Sequence, residues 1–229
     1  MKLKKIASLM LAGVMAVSML AGCKDNGNGG NGGEGEGENG GTVTGYSAVM
    51  ADAVNSAVKD MDYVTFNDNS ADETALKNSL NYLATGPIGD IVKNQKTPEQ
   101  IQAGWGTNWK MMQESLVKDL KLDNGNMNEG DMNLYWFNGT ATTGEHRVNR
   151  NVKCGVVYAV DGVVGANEAV KMVASSITDE LAQLDETGTT GGLTFDYSYV
   201  VSVSVANKTV GDNTANFILV TVSRTATQN

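Results

Sequence analysis

Residues 148–160 read Val148-Asn149-Arg150-Asn151-Val152-Lys153-Cys154-Gly155-Val156-Val157-Tyr158-Ala159-Val160. Val152, Cys154, Val156, Tyr158 and Val160 are apolar, while Asn149, Asn151 and Lys153 between them are polar. A period of two sends successive side chains to opposite faces of a strand, so this run is a strand with one apolar face. Phe195, Tyr197, Tyr199, Val201, Val203 and Val205 repeat the pattern against small or polar partners, and Phe217–Val222 supplies another strand after a Gly-Asp-Asn turn. Met132–Phe137 reads as a strand that pairs with the 148–160 run as a hairpin across Asn138–Glu145.

Outward from these strands the period lengthens to about 3.6 residues. Tyr46, Val49, Met50, Ala53, Val54, Ala57, Val58 and Met61 predict an amphipathic helix. Ser70-Ala71-Asp72-Glu73 is a capping box that opens a second, with the stripe Leu76, Leu80 and Leu83, ended by Gly86-Pro87. Thr97-Pro98-Glu99-Gln100 repeats the start signal, followed by Ile101, Trp105, Trp109, Met112, Leu116 and Leu120, with Gly104 and Gly106 able to split the helix. A helix carrying Val170, Val173, Ile177, Leu181 and Leu184 follows the first hairpin, and a Gly-Thr-rich turn at 187–192 closes it. The expected fold is α+β: about four mostly antiparallel strands packed with helices, in the order ααα-ββ-α-ββ, with one sheet face on the core and one more polar.

Charge narrows the function classes. The 229 residues hold 17 Lys plus Arg against 26 Asp plus Glu. Three of the basic residues lie in residues 1–22, leaving 14 from Cys23 onward and a formal charge of −12 there. Nucleic acid is excluded as a partner, because its binding draws on Lys and Arg that replace counterions. One His and two Cys leave little for metal or nucleophile chemistry, and no cofactor or metal site is expected.

The amino terminus carries an address. Lys2, Lys4 and Lys5 precede an apolar stretch, Ile6–Leu20, too short to span a bilayer core of ~30 Å comfortably, which is the pattern of a secretory signal. It ends in Leu20-Ala21-Gly22-Cys23, which closely resembles the lipobox of bacterial lipoproteins. That resemblance implies removal of residues 1–22, diacylglycerol on the Cys23 thiol, and anchoring on the extracytoplasmic face of the cell membrane. Lys24 follows, where the family's inner-membrane retention signal is Asp. Residues 24–42 hold nine Gly in nineteen positions and no aliphatic or aromatic side chain, so 23–42 is expected to be a lipidated Cys on a disordered tether reaching ~25 Å. Residues 43–229 then form a single domain.

Candidate sites in that domain are few. Cys154 lies in phase with the apolar strand face and is expected to be a core thiol. His146 beside Arg147 lacks a Gly-x-Ser-x-Gly partner motif. Asp68, Ser70 and Asp72 alternate as oxygen ligands do, but Glu73 and Ser79 stand where a calcium loop needs Gly and Glu; Asp123–Asp131 is a second oxygen-rich stretch. The pairs Asp179-Glu180 and Asp185-Glu186 are adjacent on a helix or its end and point apart. Trp105, Tyr135 and Phe137 are the candidate ligand contacts, since aromatic platforms bind sugar rings or partner proteins, whereas Trp109 and Trp136 belong to the core. Thr97-Pro98-Glu99 with Trp105, Glu145-His146-Arg147 and Gly155-Val156-Val157-Tyr158 are similar to pieces of the secreted cysteine-rich/antigen 5 (CAP) domains. Glu145 interrupts that family's Gly-His-Arg and its second His is missing, so no site is carried over.

The expected function is that of a lipid-anchored, non-catalytic domain binding an envelope protein, peptide or polymer. The alternatives are a carboxylate-dependent hydrolase of wall or glycan, and a structural or assembly lipoprotein.

Overall fold

A computed structural model describes residues 45–83, 88, 95–123, 132, 134 and 148–229. All of these belong to one compact unit, Gly41–Asn229. The described elements are helices α1 (Tyr46–Ala53), α2 (Ser56–Lys59), α3 (Ser70–Ser79), α4 (Thr107–Leu120) and α5 (Ala166–Leu181), with strands β1 (Val64–Phe66), β2 (Glu99–Gln100), β3 (Val152–Asp161), β4 (Thr187–Thr190), β5 (Leu193–Val210) and β6 (Asn213–Gln228). Short 3₁₀ turns at Leu80–Leu83 and Ala103–Trp105 precede β2 and α4 respectively.

The sheet runs β1-β5-β6-β3-β2. The long antiparallel hairpin β5–β6 is its spine, turning at Gly211, and β3 lies antiparallel along the other side of β6. The second edge of β5 is shared by β4, paired through 193–196, and by β1, which runs parallel through Tyr199–Val201. The α+β class holds, but the described residues form six strands where four were expected, one pairing is parallel, and β1 and β2 fall among the first helices, so the order is not ααα-ββ-α-ββ.

Both faces of the sheet are buried. The even-numbered apolar positions of β3 and β6 (Cys154, Val156, Val160, Ile218, Val220, Val222) join Tyr199, Val201 and Val203 of β5 in a first core. Met50, Val54 and Val58 of the α1–α2 segment and the stripe Val170, Val173, Ile177 and Leu181 of α5 cover it. The opposite face, expected to be more polar, carries small and apolar residues instead. Val157, Ala159, Ala206, Ala215, Phe217 and Leu219 lie there under Leu76, Leu80 and Leu83, and under Trp109, Met112 and Leu116 of α4. Small side chains on the strands let a helical layer come close, so a face that reads as half polar becomes a second core.

Several local expectations change for physical reasons. The first helix breaks at Val54-Asn55, where the Asn55 side chain accepts the Val58 N–H at 3.1 Å and starts α2. The cap of α3 is Asn69 rather than Ser70, accepting from Ala71 N–H at 3.0 Å. Glu99-Gln100 is an edge strand opposite Ala159 and Tyr158, not a first helical turn. A Pro immediately before an edge strand is as acceptable as one at a helix start, and the helix itself waits until after Gly106. The 187–192 turn is β4 plus a two-residue turn in which Gly191 and Gly192 have φ of 57° and 78°, the left-handed values a tight hairpin needs. The strand expected at Met132–Phe137 and the hairpin loop expected after it lie outside the described residues except for Met132 and Leu134, both buried.

The parallel strand β1 is fixed by its neighbours. Tyr63 O accepts from Tyr199 N–H and Val201 O from Asn67 N–H; where β1 stops, Ser47 Oγ accepts the Val203 N–H at 2.9 Å. Asp68 Oδ1 accepts the Ser47 N–H at 3.1 Å, so a carboxylate from the β1–α3 segment caps the first turn of α1.

Candidate functional site

Two helical stripes border a groove of about 460 Å³. On one wall stand Asn78 at the end of α3 and Asn81 and Tyr82 in the 3₁₀ turn that continues it. On the other are Met111, Glu114, Ser115 and Lys118 of α4, spaced i, i+3, i+4 and i+7, with Asp119 beside them. That spacing places them on one helix face, adjoining the stripe Trp109, Met112 and Leu116 that faces the second core. The α3 and α4 segments are held together by that core, so the groove is the outer seam of a packed helix pair. Tyr82 and Met111 are each 41% exposed, large apolar side chains left at the surface within one depression. Glu114 lies 3.8 Å from Lys110, and the Ser115 hydroxyl donates to Asp119 at 3.3 Å. Both groove acids are on α4, on the same wall, so they do not flank a substrate as two hydrolytic carboxylates must.

Beneath α3 is a buried ionic cluster. Asp72, 1% exposed, accepts from Lys153 Nζ at 2.6 Å through Oδ1 and from the Thr221 hydroxyl through Oδ2. Lys153 and Thr221 belong to neighbouring strands, so one carboxylate ties the helical layer to β3 and β6. Asp123 adds to this by accepting the Lys153 N–H at 3.0 Å. Asp68 and Asp72, read as candidate oxygen ligands, therefore cap α1 and pair with Lys153. No group of three or more His, Cys, Asp or Glu among the described residues is arranged to hold a metal.

A third polar region lies at the far end of β5. The Tyr197, Tyr199 and Tyr63 hydroxyls donate to the carbonyls of Val148, Asp185 and Leu184, stapling flanking segments to the sheet. The Arg224 guanidinium sits 4.4 Å from the Tyr197 ring centre. Burial raises the Tyr199 and Tyr197 phenols above their ordinary range, with Arg224 opposing; burial followed by Glu186, Asp185 and Asp62 raises Tyr63.

Of the expected ligand contacts, Trp105 is half-buried, set edge-on to Trp109 with ring centres 5.5 Å apart, and does not line the groove. Tyr135, Phe137, His146 and Cys23 lie outside the described residues. Trp109 and Cys154 are buried in the second and first core. Asp185 and Glu186 are exposed after α5, and Glu180 keeps one carboxylate oxygen buried without a hydrogen bond among the described residues. Asn78, Asn81 and Tyr82 were not singled out by sequence; their only signal is a polar flank beside an apolar stripe, common to every amphipathic helix. No described helix is long and apolar enough to cross a membrane. Compared with protein-family models, curated proteins and solved structures, the chain matches none.

Proposed function

We propose that this chain is a bacterial lipoprotein, anchored through Cys23 on the extracytoplasmic face of the cell membrane, whose folded domain binds an envelope ligand without carrying out chemistry. The anchor rests on the ordered run of three Lys, a short apolar stretch and Leu20-Ala21-Gly22-Cys23, followed by the Gly-rich residues 24–42 as a tether. The binding role rests on one observation: the α3–α4 groove displays Tyr82 and Met111 amid amide, hydroxyl and carboxylate groups. Clefts that orient a ligand combine apolar surface with a few convergent polar groups. The other large exposed apolar residues among those described, Val163, Leu193 and Val200, line no part of it.

Expression of the full chain in a bacterium, followed by fractionation, tests this role. The wild type sediments with membranes through a high-salt wash and takes up labelled fatty acid, and Cys23→Ser takes up none. A wild-type chain recovered in the soluble fraction contradicts the anchor.

A further inference from the structure

We propose that the α3–α4 groove is a binding site for a neutral oligosaccharide, with Tyr82 as the stacking platform and the Asn78 and Asn81 amides as its hydrogen-bonding edge. The inference deepens the binding role above and rests on it. A pyranose ring presents an apolar C–H face and a rim of hydroxyls that donate and accept at once. Its recognition needs a flat apolar surface beside planar polar groups of both kinds. The groove supplies the surface in the half-exposed Tyr82 and Met111. It supplies the polar groups in two carboxamides, each with two donors and an acceptor, next to Ser115 and the acceptor Asp119. The Asn78 and Asn81 side chains lie three residues apart at the junction of α3 with its 3₁₀ turn, adjacent on one face.

Other ligand classes fit less well. Glu114 and Asp119 outweigh Lys118 in the groove, and the whole chain carries −9, so an anionic glycan or phosphate is repelled. A peptide must order its backbone on binding, a cost usually offset by apolar anchors in desolvated pockets. Here the two apolar side chains lie at the surface and form no such pocket. A sugar ring is already rigid, and an open, polar seam suits it. The volume, about 460 Å³, falls within the ~300–1,000 Å³ of small-ligand clefts. α1, through which the chain enters the domain, packs on the opposite face of the sheet.

The test uses the full-length chain in detergent micelles, with saturation-transfer NMR and calorimetric titration. The probes are a neutral β-linked glucan oligomer, an N-acetylglucosamine oligomer, an oligogalacturonate and a wall stem peptide. One neutral oligomer binds with a sub-millimolar Kd; Tyr82→Ala weakens it about tenfold, Asn81→Ala weakens it measurably, and Val163→Ala leaves it unchanged. Tyr82→Trp retains binding; Asn81→Ala and Val163→Ala melt with the wild type because those side chains are exposed, and Tyr82→Ala, which removes a half-covered ring, melts somewhat lower while remaining cooperatively folded. Neutral-sugar binding indifferent to Tyr82→Ala and Asn81→Ala overturns the site. Binding of the stem peptide or the anionic glycan in its place, sensitive to Tyr82→Ala, overturns the glycan assignment and leaves the binding role standing. Silence from every probe, with the chain folded, overturns both.

Discussion

Asp72 shows how one residue can serve the fold in a way its sequence context hides. At the start of α3, Asp reads as a favourable first-turn charge, yet the side chain turns inward to Lys153 and Thr221. Breaking a buried pair by removing one partner strands the other charge, whereas replacing both partners by apolar residues is often neutral. Lys153 keeps 22% of its side chain exposed, which moderates the loss. Asp72→Ala is expected to cost about 3 kcal/mol in urea unfolding, and Asp72→Leu with Lys153→Met to cost less than Asp72→Ala alone. The tyrosines give a pH signature. Phenols whose folded pKa is raised add stability that is complete below the unfolded value of about 10 and is lost as pH rises through the folded value. The melting temperature should therefore fall above about pH 10, in step with phenol ionisation followed by ultraviolet absorbance. Tyr199→Phe should reduce that alkaline fall.

At the scale of elements, legibility followed pattern length. Strand β3 and helix α5 carry ten and sixteen residues of consistent period, and the sequence locates them within a few residues. Strand β1 has three residues and β2 two, too few to show alternation, and both exist because a longer strand offers them an unpaired edge. Strand β4 is Thr-Gly-Thr-Thr, turn-like in composition and strand by pairing. The α1 cap is equally non-local, since Asp68 comes from 21 residues downstream of Ser47. Gly45 makes room for it: a Cβ there would stand 1.9 Å from Asp68 Oδ2, on a backbone with φ of 154°. Asp68→Ala should cost about 1 kcal/mol, as loss of a cap does. Gly45→Ala should cost more, and the double variant less than the sum, because removing the carboxylate relieves the clash. Chemical denaturation of the three variants checks all of this.

For the whole molecule, two helical layers on one sheet explain why the polar alternation of β5 misleads. Ser202 and Ser204 are both buried, so a run that reads as one wet face sits beneath α3 and its neighbours. The groove was out of sequence reach for a related reason. Its two walls, 78–82 and 111–119, are some thirty residues apart and meet only when Leu76, Leu80, Met112 and Leu116 pack into the second core. The proposed anchor, by contrast, would be a local code in 23 consecutive residues, and on that proposal it determines where the groove operates. Intact mass spectrometry of the chain purified from bacterial membranes tests that placement most directly. The expected mass is that of a chain beginning at Cys23 and carrying a diacylglyceryl group, with a further acyl chain where the host adds one. A chain that keeps residues 1–22, or one cleaved there with a free Cys23 thiol, would contradict it.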